Sequence, residues 1–315
     1  MSPKSHPNQS SSARAEPIGT APRSKPALGA KPGPGLYLVA TPIGNLADVS
    51  LRALGLLAKA DLIACEDTRV TRKLLTRHGI ETPLLTYHEH NARRMRPKLI
   101  EQIKCGNAVA LVCDAGTPLI SDPGHKLVAA AIAEGLAVTA LPGPSAALTA
   151  LTLSGLPSER FLFAGFLPVK TSARRQALSD LAPVKASLVI FESPRRLAAA
   201  LADMADVLGP RPAAVAREMT KLHEELRRGS LAELAAHYRE TGPPKGEVVV
   251  VVGPPAENSG ARAAEDLDAK LRAALESASL RDAAAAVAAA TGLPTRQVYA
   301  RALHLATGRR RSGAG

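Results

Sequence analysis

The chain has 315 residues, 40 Lys and Arg against 28 Asp and Glu, and a formal net charge of +12. Hydrophobic residues at 46% and charged ones at 22% exclude a wholly disordered chain, and the length allows roughly two domains with buried cores. Cys65, Cys105 and Cys113 are scattered, with neither a disulfide framework nor a zinc pattern, so a reducing compartment is expected, and the excess positive charge points to a polyanionic partner.

Residues 1–34 are rich in Pro, Ser, Gly and Ala and lack apolar periodicity. Such a segment cannot bury enough surface to offset its ordering entropy, so it is expected to be a disordered tail. It has no apolar stretch of the signal-peptide kind, and its prolines oppose the amphipathic helix of a transit peptide. Order begins with an apolar strand at Gly35, followed by a helical pattern over 50–59. Strands are expected at 62–65, near 84–87, at 108–113 and at 138–141, with helices around 71–78, 96–104 and 126–134 between them. This alternation is the pattern of an α/β sheet with helices packed against it. A second, similar unit follows, with strands at 161–166, 186–191, 212–216 and 247–252 and helices over 196–207 and 231–240. A linker is expected at 254–260, then helices at 267–275, 279–290 and 295–305. The expected organisation is a tail (1–34), two α/β domains (35–146 and 147–254) and a helical appendage (262–308). No stretch reaches roughly 18 uncharged apolar residues, so no membrane span is expected.

In open α/β sheets, ligands gather beyond the carboxyl ends of the strands. The richest such loop is Asp114-Ala-Gly-Thr-Pro-Leu-Ile-Ser-Asp-Pro-Gly124, whose glycines and prolines fix an irregular backbone able to approach a ligand. A plainer reading makes it a rigid connection whose Asp and Ser cap the next helix. Other such loops carry Thr41-Pro-Ile-Gly-Asn, Glu66-Asp-Thr-Arg, Pro142-Gly-Pro-Ser-Ala, Glu192-Ser-Pro-Arg and Arg217-Glu-Met-Thr-Lys. There is no G-x-G-x-x-G after a strand and no phosphate-binding G-x-x-x-x-G-K-[ST]. His88-Glu-His90 lacks metalloprotease spacing, Ser145 lacks the hydrolase elbow, and no metal is expected.

Nine ordered segments carry a resemblance: ATPIGNLADVSLRAL (40–54), CEDTRVTRKLL (65–75), HEHN (88–91), CDAGTPLISDPG (113–124), LPGPSA (141–146), FAGFLP (163–168), FESPRRL (191–197), REMTKLHEE (217–225) and KGEVVVVVG (245–253). Together the chain resembles the tetrapyrrole methylase superfamily, and within it the branch that methylates the ribose 2′-hydroxyl of a cytidine in 16S ribosomal RNA. The resemblance implies two α/β domains with S-adenosylmethionine in the cleft between them, a homodimer, a cytoplasmic location and 16S rRNA of the small ribosomal subunit as partner. It assigns the cofactor to Pro42, Asp114, Ala115, Gly116, Thr117, Leu119, Ile120 and Ser121, with Pro142, Gly143, Ser145 and Ala146 nearby. Departures are small: Cys113 stands where Ser is commoner, and Ala92 where an acidic residue is usual. The helical appendage resembles the helix-turn-helix end of the same branch; a plain helical pair is the other reading.

A ribose hydroxyl is a weak nucleophile, so the site must hold it in line with the methyl group and accept its proton. Asp67, Glu192 and Glu218 are the candidate bases. The competing reading pairs them internally, for example Glu218 with Arg69. Two Arg-rich stretches leave the strand-end loops and could grip RNA phosphates: Arg69, Arg72, Lys73, Arg93 and Arg94, then Arg174, Arg175 and Arg195, with Arg217 and Lys221 beside the carboxylates. A solvated helical face is the plainer reading for any one of them. Methylation of a tetrapyrrole or other small molecule would share fold and cofactor but gives those arginines no purpose.

Overall fold

The computed structural model describes residues 30–256, 259–291 and 293–312. Most of the expected tail, and part of the 254–260 linker, lie outside these residues. The end of the tail does not behave as expected: Lys31 pairs with Asp61 at 2.7 Å, and the Tyr37 hydroxyl donates to the Gly33 carbonyl.

Five short apolar runs form the first sheet: β1 (Gly35–Val39), β2 (Leu62–Cys65), β3 (Leu84–Thr86), β4 (Ala108–Leu111) and β5 (Val138–Leu141). They lie in the order β3-β2-β4-β1-β5 and all pairings are parallel. Helices cover both faces, which is why these strands lack polar alternation. Ala53 and Leu57 of α1 (Leu51–Leu57), with Leu74 and Leu75 of α2 (Thr68–Arg77), pack on Val39, Ile63 and Ala110. On the opposite face, Leu99 and Ile103 of α3 (Ala92–Lys104), with Leu127 and Ala131 of α4 (His125–Ala133), pack on Leu36, Ala64 and Val109. The chain leaves neighbouring β1 and β4 towards opposite edges of the sheet. The crevice of this sheet therefore lies between those two strands.

The Ser145 side chain caps α5 (Ala146–Ser154), which joins the halves. Its Ala147, Ala150 and Leu151 pack with Ile43 of the first half and with Val189, Ala216 and Val249 of the second sheet. That sheet contains β6 (Phe161–Phe166), β7 (Ser187–Glu192), β8 (Pro212–Arg217), β9 (Glu225–Ser230) and β10 (Val248–Val252), ordered β6-β7-β10-β8-β9. Only β6 and β7 are parallel; the other pairings are antiparallel. The second unit is thus not a copy of the first. Because β10 runs against both β7 and β8, the ends of those two strands and the start of β10 meet at one edge. α6 (Thr171–Leu181), α7 (Leu197–Leu208) and α8 (Leu231–Thr241) cover the far face.

Three helices follow: α9 (Ser259–Ala274), α10 (Leu280–Thr291) and α11 (Thr295–Ser312). Leu271, Val287 and Val298 form their shared core, and Arg301 grips the Asp268 carboxylate through two hydrogen bonds of 2.7 Å. Among the described residues, no helix is long and apolar enough to cross a membrane.

Candidate active site

Three loops interlock at the carboxyl edge of the first sheet. Thr41 and Gly116 exchange backbone hydrogen bonds of 2.8 and 3.0 Å, zipping the loop after β1 to the loop after β4. The Thr41 hydroxyl donates to the Cys113 carbonyl, and the Thr117 hydroxyl donates to the Pro144 carbonyl at 3.0 Å. Among the described residues, four without glycine's freedom adopt positive φ: Leu119, Ser121, Glu218 and Thr220. All four lie in two loops, one from each half. Such backbone costs energy and persists only where its surroundings impose it, and it clusters at working sites.

Between the halves lies a cavity of about 360 Å³. Gly116, Thr117, Ser121 and Ser145 line it from the first half; Phe166, Phe191, Met219 and Val248 line it from the second. Phe191 meets both Phe163 and Phe166 edge-on, with ring centres 4.8 and 5.6 Å apart. Across Ile43 and Ala115 is a second hollow, bordered by Pro42, Lys73, Asp114 and Lys221. Glu247 borders both.

Seven of the residues expected to hold the cofactor line the first cavity: Ala115, Gly116, Thr117, Ile120, Ser121, Ser145 and Ala146. Pro42 and Asp114 border the second hollow instead. Leu119 packs into the core over the first sheet and meets Gly124. Pro142 and Gly143 border neither space; Gly143 sits against Ala40, where an added Cβ would come within 2.9 Å of the Ala40 Cβ. Its requirement is close packing. Sequence reasoning passed over Phe191, Met219, Glu247 and Val248 as site residues. They meet only because β10 runs antiparallel to its neighbours, and no local pattern announces that pairing.

The three candidate bases have different surroundings. Asp67 caps α2, and the Arg69 guanidinium and backbone N–H bonded to it hold its carboxyl down at about 2. A carboxylate so acidic is a feeble proton acceptor near neutral pH. Glu218 bonds Lys221 at 2.8 Å, which lowers its pKa, and it accepts the Glu247 N–H at 2.9 Å. The pairing of Glu218 with Arg69 does not form, since Arg69 is taken by Asp67. Glu192 is buried at the cavity wall and paired with Arg196. By contrast, burial raises the pKa of Asp114, Asp122 and Glu66. Asp114 accepts the Asp67 backbone N–H at 3.0 Å.

Asp122 makes this cluster testable. Burial raises its pKa despite a hydrogen bond with Cys113, so the ionised carboxyl opposes folding at neutral pH. Asp122→Asn is expected to stabilise the chain by about 1 kcal/mol at pH 7. As pH falls through the raised folded-state pKa, the native carboxyl also becomes neutral, and the gain should shrink away. Urea unfolding of both proteins at neutral and acidic pH measures this; a gain independent of pH would refute it.

The expected RNA contacts divide by burial. Arg72, Lys73, Arg93, Arg94 and Arg195 are exposed and form no salt bridge among the described residues. Arg69 is exposed but bound to Asp67, Arg175 bonds Asp203 and Asp206, Arg217 bonds Glu225, and Lys221 bonds Glu218 and Glu247. Arg174 is a correction. It is only 4% exposed, with its guanidinium on Asp203 and the Val169 carbonyl, so no phosphate can reach it.

S-adenosylmethionine fits this site on its own terms. The first half contributes Thr117, Ser121 and irregular backbone to its lining, and the second contributes the apolar side chains of Phe166, Phe191 and Met219. A molecule with a purine at one end and a zwitterion at the other matches that division.

Comparison with known proteins agrees. Residues 35–235 match the family described as Tetrapyrrole (Corrin/Porphyrin) Methylases, and residues 261–306 match the RsmI C-terminal HTH domain. A protein of Mesorhizobium japonicum named ribosomal RNA small subunit methyltransferase I is 53% identical over 86% of this chain and 92% of its own length. One of the same name from Erythrobacter litoralis is 55% identical over 87% of this chain and 96% of its own. Among solved structures, the methyltransferase CobJ is similar in fold, with a TM-score of 0.54 and 19% identity over 70% of this chain and 95% of its own. So is uroporphyrin-III-C-methyltransferase from Thermus thermophilus, with a TM-score of 0.51 and 21% identity over 72% and 97%. With its strand-end loops, its cleft and these matches taken together, the chain belongs to the tetrapyrrole methylase family.

Proposed function

We propose that the chain methylates the ribose 2′-hydroxyl of a cytidine in 16S rRNA of the small ribosomal subunit, using S-adenosylmethionine. The observation that carries the reading is the pairing of two spaces across Ile43 and Ala115. One is walled for the cofactor; the other is bordered by Lys73, Lys221 and Asp114. The names of the relatives favour RNA over a tetrapyrrole as substrate.

When bound, S-adenosylmethionine supplies an already activated sulfonium methyl group. The protein's share is placement and proton handling. Gly116 and Thr117, locked to Thr41 and Pro144, hold the cofactor wall rigid. Asp114, with its raised pKa and its place on the second hollow, is the carboxylate best suited to take the hydroxyl proton. Asp67 serves instead as a helix cap that fixes Asp114 through its N–H. Arg72, Lys73, Arg93, Arg94 and Arg195 bind RNA phosphates, and the C-terminal helices add a second grip. The reading places the reaction in the cytoplasm and includes a homodimer. Leu222, 93% exposed beside Lys221, is an apolar side chain that association would cover.

The test is to incubate the chain with methyl-labelled S-adenosylmethionine and small subunits lacking the modification. Label is expected in 16S rRNA, on ribose, with none passed to porphyrinogens. The rate at limiting subunit should fall steeply with salt, and replacing Arg93 and Arg94 by Gln should lower it about 10-fold at 0.15 M salt. Transfer to porphyrinogens alone, or a rate indifferent to salt and to both arginines, would overturn the reading.

A further inference from the structure

Lys221 is held from two sides. It lies in the turn between β8 and β9, where Glu218 and Thr220 adopt positive φ of 48° and 66°. That strained turn sends Met219 to the first cavity and Lys221 to the second hollow. The stem of Lys221 lies against Gly44, where an added Cβ would come within 2.5 Å of its Cγ. Its Nζ donates to Glu218 Oε1 at 2.8 Å and to Glu247 Oε2 at 2.9 Å. Glu218 is fixed in turn: it accepts the Glu247 N–H, and Gly246 leaves it room, since an added Cβ there would overlap its carboxyl. An ammonium has three N–H donors, and the two carboxylates engage two of them. The side chain is 29% exposed and borders the hollow, so a ligand there can reach the third.

We infer that Lys221 gives its third N–H to the ribose 2′-oxygen that receives the methyl group, and steadies the negative charge that gathers there. The inference rests on the proposed methylation of a ribose hydroxyl. Lys221 shares the second hollow with Asp114, and it is one hydrogen bond from Glu247, which borders both spaces. A phosphate suits this place poorly. Two carboxylates outnumber one ammonium, so a phosphate would meet net negative charge. Lys73, exposed and without a salt bridge among the described residues, lacks that handicap. A hydroxyl arrives neutral and becomes negative only as it reacts, so the ammonium meets the charge as it forms. Burial opposes the charge on Lys221, but the two carboxylates outweigh it and hold the pKa above its usual value. Lys221 therefore stays protonated near neutral pH and cannot be the base. In the step the oxygen bonds the methyl carbon, the sulfonium sulfur keeps the pair of the breaking bond, and the hydroxyl proton goes to Asp114. Lys221 keeps its own protons throughout, and Glu218 is a positioning residue that acts through it.

The test uses the full chain, saturating S-adenosylmethionine and small subunits lacking the modification, under single-turnover conditions. Lys221→Met keeps the stem on Gly44 and removes the donor. Calorimetry should show native binding of S-adenosylhomocysteine, and subunit binding should keep its native affinity and salt slope. The transfer rate with subunits saturated is expected to fall about 100-fold. Weaker subunit binding with a salt slope lower by about one, at an intact saturated rate, would make Lys221 a phosphate contact and overturn the inference. An intact rate with intact binding would leave the ammonium a structural link and overturn it equally. If the methionine variant does not fold, Lys221→Arg decides. Its guanidinium could still hold a phosphate but cannot place a donor at the same point, so transfer should slow about 10-fold with binding unchanged. A native rate in that variant overturns the inference. A native chain that labels no subunit defeats the proposed function itself, whereas labelling by the native chain confines any failure to Lys221.

Discussion

Gly116→Val is expected to weaken S-adenosylhomocysteine binding by about 100-fold or more and to reduce methylation in step. Gly116 has φ +83°, where a β-branched residue is strained by about 1–2 kcal/mol. An added Cβ would lie 3.4 Å from a methyl carbon of Ile43 and 3.8 Å from the Pro144 carbonyl oxygen, and valine carries two more carbons beyond it. Those carbons must enter the cavity or push Ile43 out of the joint core. Either way the exchange of hydrogen bonds with Thr41 is disturbed, and with it the loop that carries Thr117, Ile120 and Ser121. Gly116→Ala should lie between valine and the native chain. Calorimetric titration of all three proteins checks the order; a valine variant that binds within about 3-fold of native would show that the loop does not shape the cofactor wall.

Asp203→Ala is expected to cost about 3–5 kcal/mol of stability without touching the cavity. Arg174 lies on α6 and Asp203 on α7, and the Arg174 Nε donates to the carboxylate at 2.7 Å, both side chains being almost wholly buried. Removing the carboxylate strands a buried guanidinium, and Arg175 loses a partner as well. The double variant Arg174→Met, Asp203→Leu should recover most of the loss, because it removes both charges and refills the volume. Urea unfolding measures the first effect and the recovery. A loss under about 1 kcal/mol for Asp203→Ala would mean that water reaches the arginine.

The contrast between Arg174 and its neighbours shows where sequence reasoning stops. The strands of the first sheet could be read because a parallel strand covered on both faces is simply a short apolar run, and the residues at its end stand out against it. The loop after β4 was equally plain. β9 was not: Glu-Leu-Arg-Arg-Gly-Ser has no apolar alternation and becomes a strand by pairing with β8. α6 was missed for the same reason, since its buried residues are Leu178 and an arginine. Charge in a sequence reads as exposure, and whether Arg174 is buried depends on an aspartate 29 residues later. Glu192 was visible as a strand-end carboxylate, yet its character came only from geometry: it is buried and paired with Arg196.

Ile43 belongs by sequence to the first half and by packing to the second, where it shares a core with Val189, Ala216, Met219 and Val249. The Asn45 N–H adds a stitch to the Thr220 hydroxyl at 3.1 Å. The cleft therefore cannot yawn open like a hinged shell without tearing hydrophobic contacts. It is a slot finished during folding, so little ordering entropy is left to lose when a ligand arrives. A guest must slide in along the seam rather than be clasped by a moving jaw.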